Sequence, residues 1–195
     1  AAKHVEYQAA NPDDKTAKYI INPHSFTRQQ SLDMCALCHG GRLTKTKPSF
    51  SFQPGDKLEE YFQPLTTSPD ATSIDVHGNQ FGLLAASKCF TSTQMTCMTC
   101  HDPHKNEKGV TAVYSQRCMN CHSTGHGKEC GLAKTAGAII TKNCIDCHMP
   151  EQRSAAIQVL LQGETTPTPA SMRTHYITIY PDETKKVLDA LHKMK

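Results

Sequence analysis

The chain has 195 residues, a formal net charge of +3, 37% hydrophobic residues and ten cysteines. No apolar run approaches the roughly 18 residues of a membrane-spanning helix, and the small net charge without basic clusters gives nucleic-acid binding no support. Because the apolar fraction is low for a chain of this length, we expect something other than apolar side chains to fill the interior.

Three helices are predicted, and in chain order they span Thr27–Cys38, Gln80–Phe90 and Asp182–Lys193. Gly40 and Gly41 follow the first helix as a stop signal. Apolar residues at helical spacing indicate the inward faces of the other two, namely Leu83, Leu84 and Ala86 in the second and Val187, Leu188 and Leu191 in the third.

The rest of the chain is predicted to be loop with little strand. Residues 1–26 are polar and expected to be irregular, and prolines with hydroxyl residues predict a surface loop over 44–74. Two short runs favour strands on either side of a Thr/Pro loop at 164–170, namely Ile157–Leu161 and Tyr176–Tyr180. The predicted fold class is therefore mainly α with extensive coil and little β.

Eight of the ten cysteines belong to four copies of one motif, C-x-x-C-H, which we number 1 to 4 in chain order. The cysteine pairs are Cys35 and Cys38, Cys97 and Cys100, Cys118 and Cys121, and Cys144 and Cys147. The histidines that end the motifs are His39, His101, His122 and His148. On a helical turn, residues i, i+3 and i+4 share one face, so the two thiols and the imidazole point in one direction.

This geometry suits covalent haem attachment. The two thiols can bind the vinyl groups along one porphyrin edge, and the imidazole can ligate the iron from the same side. The four motifs therefore predict four haem c groups, each with a motif histidine as its proximal ligand. Four haems in one domain, residues 1–195, also explain the low apolar content, because the chain wraps the cofactors.

Two other interpretations of the cysteines are weaker. Four C-x-x-C pairs could form two Cys₄ zinc sites, but the four identically placed histidines would then have no role. A disulfide-rich module fits less well, because a bridge within C-x-x-C closes a very short loop.

The second axial ligands decide the chemistry, since a haem with two protein ligands transfers electrons and one with an open position can bind a substrate. Seven histidines lie outside the motifs: His4, His24, His77, His104, His126, His175 and His192. His104 follows His101 by three residues, and that length of chain, roughly 10 Å, cannot reach the opposite face of the same haem. If His104 is a ligand, it therefore serves a neighbouring haem, and the same holds less firmly for His126.

The remaining histidines differ in how well they are placed to act as distal ligands. His77 precedes a predicted helix and His175 begins a predicted strand, so both can project from structured edges. His24 and His192 are predicted to be surface residues. Methionines inside the attachment motifs cannot reach across a haem, so bis-histidine ligation is favoured, and with it low reduction potentials.

Cys89 and Cys130 lie outside the motifs. Haem attachment of this kind implies an oxidising compartment, so a periplasmic or extracellular location in a bacterium or archaeon is expected. A disulfide between the two cysteines and a pair of buried free thiols are the alternatives.

The block Cys97–His104 (CMTCHDPH), followed by CMNCH and CIDCHMP, resembles multihaem cytochromes c of the lineage of the nitrification tetrahaem cytochrome and the pentahaem nitrite reductases. Larger bacterial multihaem cytochromes with D-x-H-G-N-Q before C-x-x-C-H-D-P-H are more similar still. The resemblance covers about residues 74–180. It implies a multihaem cytochrome c fold organised around stacked, bis-histidine-ligated haems, with the distal ligands His77, His104, His126 and His175.

The chain departs from that lineage in two respects. The nitrite reductases attach their catalytic haem through C-x-x-C-K, whereas all four motifs here end in His, which weakens an enzymatic interpretation. Such proteins commonly have further motifs upstream, one followed by G-P-x-x-x-H, and the start Ala1–His4 resembles the end of that segment. We therefore expect a processed or incomplete part of a longer cytochrome, with His4 ligating a haem near the N terminus, on a further haem-bearing chain or subunit. Removal of a signal peptide is the alternative.

The leading hypothesis is an electron-transfer protein that relays electrons between redox partner proteins through closely packed bis-histidine haems. One alternative is a multihaem reductase or oxidoreductase that acts on a small nitrogen or sulfur compound at one five-coordinate haem. Another is a subunit of an extracellular cytochrome filament.

Overall fold

The computed structural model describes residues 2–63, 74–123 and 129–193. Within these ranges the α-helices are Ala2–Ala10 (α1), Arg28–His39 (α2), Gln80–Ala85 (α3), Lys88–Thr91 (α4), Thr111–His122 (α5), Ala133–Ala136 (α6), Cys144–His148 (α7) and Pro181–Lys193 (α8). The strands are Glu151–Val159 (β1) and Thr168–Arg173 (β2), which pair antiparallel. The prediction of a mainly helical chain with extensive coil and little β is confirmed, and no described helix is long and apolar enough to cross a membrane.

Helix α2 confirms the first predicted helix to within one residue at each end. Thr27 and Gln30 form a reciprocal capping box at its start, in which each side chain accepts a hydrogen bond from the other residue's amide. At its end the Gly40 amide donates to the Ala36 carbonyl at 2.8 Å, and Gly41 adopts a φ of +83°. The two glycines therefore stop α2 directly after motif 1.

The small apolar core lies where α2, α3 and α4 meet. Leu32, Leu84 and Phe90 are its buried members, and Cys97 and Ile177 pack against them. The core thus places motif 2 beside the helix that ends in motif 1. Helix α8 confirms its prediction, because its Val187, Leu188 and Leu191 side chains are half-buried as expected.

The prediction of one helix over Gln80–Phe90 is wrong in one respect, because the helix breaks after Ala85 into α3 and α4. The buried Ser87 lies at the break, and its hydroxyl donates to the His175 carbonyl at 3.1 Å and accepts from the Ile177 amide at 2.8 Å. A serine that bonds a distant backbone segment competes with helix continuation.

Both strand predictions are wrong in position. Tyr176–Tyr180 is outside the sheet, and its Thr178 and Tyr180 amides donate to the His148 and Cys147 carbonyls at 3.3 Å each. The end of α7 therefore takes the hydrogen bonds that a neighbouring strand would otherwise provide. β1 begins six residues before the predicted Ile157–Leu161, and β2 partly overlaps the predicted loop at 164–170.

The prediction of irregular chain over 1–26 is wrong for α1, whose Ala-rich sequence favours a helix. The α1 side chains contact the segment that follows the turn at Asn11. The Tyr7 ring lies 5.8 Å from that of Tyr19, and the Tyr7 hydroxyl donates to Asp14. The N-terminal residues therefore form a small folded unit.

Candidate functional site

All four C-x-x-C-H motifs form helical turns, as their spacing predicts. Motifs 1 and 3 end α2 and α5, and motif 4 is α7 itself. Motif 2 is a tighter turn that begins at Cys97, where the His101 amide donates to the Cys97 carbonyl at 2.9 Å. Each turn therefore places its two cysteines and its histidine along one face.

The faces of the first three motifs are open to solvent. The motif histidines His39, His101 and His122 are exposed, as are Cys38 and Cys121. The other four cysteines of these motifs are half-buried.

Motif 4 is enclosed more tightly, with Cys147 buried. Arg173 of β2 holds the turn at both ends, because its guanidinium donates to Asp146 at 2.5 Å and to the Met149 carbonyl at 3.1 Å. His148 Nδ1 lies 2.8 Å from the Thr178 carbonyl. Since a carbonyl can only accept, Nδ1 carries the proton and Nε2 is the nitrogen with a lone pair for a metal.

Thiols of different motifs lie side by side. The Cys97 thiol of motif 2 donates a hydrogen bond to Cys35 of motif 1, which lowers the pKa of Cys35 to about 7. The Cys118 thiol of motif 3 likewise donates to Cys144 of motif 4 and lowers the pKa of Cys144 to about 6. Motifs 1 and 2 are therefore neighbours, and so are motifs 3 and 4.

Arg117 of α5 joins these two pairs. Its guanidinium donates a hydrogen bond to the Cys100 carbonyl at 2.6 Å. Beside this contact, the centroid of the His101 ring lies 5.5 Å from that of the Tyr114 ring, which also belongs to α5. Motif 2 thus contacts the helix that ends in motif 3. The contacts between motifs therefore run from motif 1 to motif 2, from motif 2 to motif 3 and from motif 3 to motif 4, which is their order along the chain.

His101 and His175 face one another. Their ring centroids are 5.9 Å apart and their planes differ by 22°. An imidazole nitrogen binds a transition metal at about 2 Å, so two rings on opposite sides of one metal have centroids about 6 Å apart. The structure therefore brings a predicted proximal and a predicted distal ligand next to one another with nearly parallel rings.

The surroundings keep both imidazoles neutral. Burial, together with the nearby His101 and His39, lowers the pKa of His175 to about 4. Partial desolvation of the exposed His101 ring lowers its pKa as well, and the positive charge of Arg117 adds to the effect. The buried Nδ1 of His175 has no hydrogen-bond partner among the described residues. A neutral imidazole with a free ring nitrogen is a ready metal ligand.

The other predicted distal ligands lie on turns and on α1. His77 and His104 are exposed on turns, and His4 is half-buried on α1 with its Nδ1 2.7 Å from the Lys18 carbonyl. That contact leaves Nε2 of His4 as its acceptor nitrogen. His126 lies outside the described residues.

All ten cysteines are unpaired in the structure, so the Cys89–Cys130 disulfide is not formed. Burial raises the pKa of the half-buried Cys89 thiol. Within residues 2–63, 74–123 and 129–193, no three His, Cys, Asp or Glu side chains converge as ligands for a single metal ion.

The sequence analysis missed the residues that support the predicted ligands. Arg173 and Thr178 hold motif 4, and no local pattern marks them. Asp75 and Asp102 accept hydrogen bonds from the His77 and His104 amides. Their signal was present in the sequence, because Asp-x-His occurs in both places.

Comparison of the chain with protein-family models, with curated proteins and with solved structures finds no match. The functional argument therefore depends on the residues and their geometry.

The ion pair of Arg117 and Glu107 yields a pH prediction. Two guanidinium–carboxylate contacts of 2.6 and 2.7 Å lower the pKa of Glu107 below its usual value of 4.5. A lowered carboxyl pKa stabilises the fold above the unfolded pKa, and this contribution is lost as the pH falls through the folded pKa. We expect Glu107→Gln to lower the unfolding midpoint at neutral pH and to match the wild type in acid.

Thermal unfolding followed by circular dichroism from about pH 7 to pH 3 tests this expectation. Glu183→Gln is the matched control, because Glu183 pairs with Lys186 on the exposed face of α8 and should change little. Equal midpoints for wild type and Glu107→Gln at pH 7 would contradict the prediction.

Proposed function

We propose that this chain is an electron-transfer protein with a multihaem cytochrome c fold that carries four covalently attached haem c groups. The observation that carries the proposal is that all four C-x-x-C-H motifs form helical turns, each with its two cysteines and its histidine along one face. His175 lies next to the motif histidine His101, with ring centroids 5.9 Å apart. When bound, each haem supplies an iron that takes up and releases one electron.

The chain's own residues hold these groups. The motif cysteines form the thioethers and the motif histidines His39, His101, His122 and His148 act as proximal ligands. The distal ligands are His77, His104, His126 and His175. His4 is left for a haem near the N terminus, on a further haem-bearing chain or subunit.

Several observations support this assignment. The Thr178 carbonyl orients His148 so that Nε2 can ligate, and the pKa values of His101 and His175 are lowered so that both rings stay neutral. The neighbouring motifs would keep successive haems close enough to exchange electrons. We further propose a periplasmic or extracellular location, with redox proteins as partners.

The test is expression in a host that attaches haem c, followed by intact mass and low-temperature EPR. We expect the mass of the chain plus four haems, no zinc by elemental analysis, and low-spin ferric signals alone. A high-spin ferric signal that shifts with nitrite or hydroxylamine would instead establish a reductase, and a haem-free chain with bound zinc would refute the proposal.

A further inference from the structure

Two of the proposed distal ligands are presented by the same local device. The Asp75 carboxylate accepts a hydrogen bond from the His77 amide at 2.8 Å, and the Asp102 carboxylate accepts one from the His104 amide at 3.0 Å. In each case an aspartate two residues before the histidine closes a turn with its side chain. The spacing Asp-x-His is thus a structural unit in this chain.

Asp75 does more than close its own turn. Its Oδ1 also accepts from the Ser154 hydroxyl at 2.7 Å, and its Oδ2 accepts from the Ala155 and Ala156 amides at 2.6 and 3.3 Å. These residues lie where the register of β1 and β2 is interrupted, so their amides do not take part in the regular ladder. The Asp75 carboxylate therefore accepts the hydrogen bonds of the irregular part of β1 and attaches the His77 turn to that strand.

The rest of the His77 turn is held as firmly. Val76 is buried, with its carbonyl bound by the Gln80 side chain at 2.7 Å. The Gly78 carbonyl accepts from the Gly41 amide at 2.8 Å, directly after motif 1, and the Asn79 side chain caps α3. His77 alone among residues 75–79 has an exposed side chain.

Among the described residues, the Asp102 carboxylate has no such contact with a distant segment. Its second carboxylate oxygen pairs with Lys105 at 3.0 Å, and the Lys105 side chain is 68% exposed. Both contacts of the Asp102 carboxylate thus stay within four consecutive residues, 102–105.

We propose that Asp75 and Asp102 are positioning residues that hold the backbone of the His77 and His104 turns so that each imidazole can ligate a haem, with Asp75 also fixing its turn to β1. This inference rests on the proposed function. Asp75 acts through two separable contacts, the turn with His77 and the anchor to Ala155 and Ala156. Asparagine keeps the oxygen for the turn, but its amide nitrogen cannot accept from the β1 amides.

The test is the spin state of the haem-loaded protein, measured by low-temperature EPR and by absorption. We expect His77→Ala to make one of the four haems fully high-spin. In Asp75→Ala that haem should be high-spin in most molecules, and in Asp75→Asn it should be high-spin in a smaller fraction of them. Added imidazole should restore the low-spin state in all three. Asp102→Ala should likewise release part of one haem, whereas Asp102→Asn should match the wild type, because only the exposed lysine contact is lost.

Ser171→Ala is the matched control, because it removes a hydroxyl–carboxylate contact of 3.4 Å to Glu151 in the same hairpin without touching Asp75. We expect it to leave every haem low-spin. If Asp75→Ala fails to fold, Asp75→Asn decides the matter, and a wild-type spectrum for it would refute the anchoring role.

The two hypotheses fail in different ways. If His77→Ala leaves all haems low-spin, His77 is not a haem ligand, whatever the effect of the Asp75 variants. If His77→Ala releases a haem and the Asp75 variants do not, the positioning proposal alone is refuted.

Discussion

Replacing His175 by alanine is expected to leave one haem, the one attached at Cys97 and Cys100, with a single protein ligand. The expectation follows from the 5.9 Å separation of the His101 and His175 rings. Low-temperature EPR should show one high-spin haem among four. His175→Met should keep that haem low-spin and raise its potential, on the order of 100 mV, since axial ligation spans roughly 0.8 V.

The assignment to this particular haem can be checked separately. His192→Ala is the control, because His192 is exposed on α8, and it should leave the spectrum unchanged. In a protein that lacks the haem of motif 2, His175→Ala should have no further effect on the spin states. A change there would show that His175 ligates a different haem.

The second large effect is expected from replacing Cys97 and Cys100 together by alanine. The variant should lose one haem, and the remaining three should no longer exchange electrons freely. The reason is the position of motif 2, which contacts motif 1 through Cys35 and α5 through Arg117. Haem-methyl NMR during a redox titration measures the rate of electron exchange between the haems. The methyl signals of the motif 1 haem should show slow exchange with the other two haems, whose signals should stay averaged by fast exchange.

Replacing Cys144 and Cys147 by alanine is the matched control. It also removes one haem, but motif 4 is the last in the spatial series and contacts α5 through Ser115, whose hydroxyl accepts from the Cys144 amide at 3.0 Å. The other three haems should therefore continue to exchange electrons rapidly. Equal behaviour of the two variants would contradict the serial order of the motifs.

The predicted helices with local start and stop signals were the most accurate. Thr27 and Gly40 bound α2, and the apolar spacing of α8 is visible without any partner. The strands were misplaced because their position depends on contacts far along the chain. Most β1 side chains are exposed, so no alternation of apolar and polar residues marks this strand. The backbone amides of Thr178 and Tyr180 are instead hydrogen-bonded to the end of α7.

The sequence by itself determined the four attachment turns. Two cysteines and a histidine at positions i, i+3 and i+4 share a face on any helical turn, and this follows from local backbone geometry alone. It also predicted which histidines could serve as distal ligands, and it excluded His104 as the distal ligand of a haem attached at Cys97 and Cys100.

Only the tertiary structure decided which distant groups meet. His175 faces His101 because Ser87 binds the backbone on either side of Tyr176, and Asp75 holds His77 because β1 leaves two amides without ladder partners. Neither contact has a fixed sequence spacing, since each depends on how separate segments pack. Sequence spacing therefore determines the turn that would attach each proposed haem, and packing determines which distant imidazole lies near that turn.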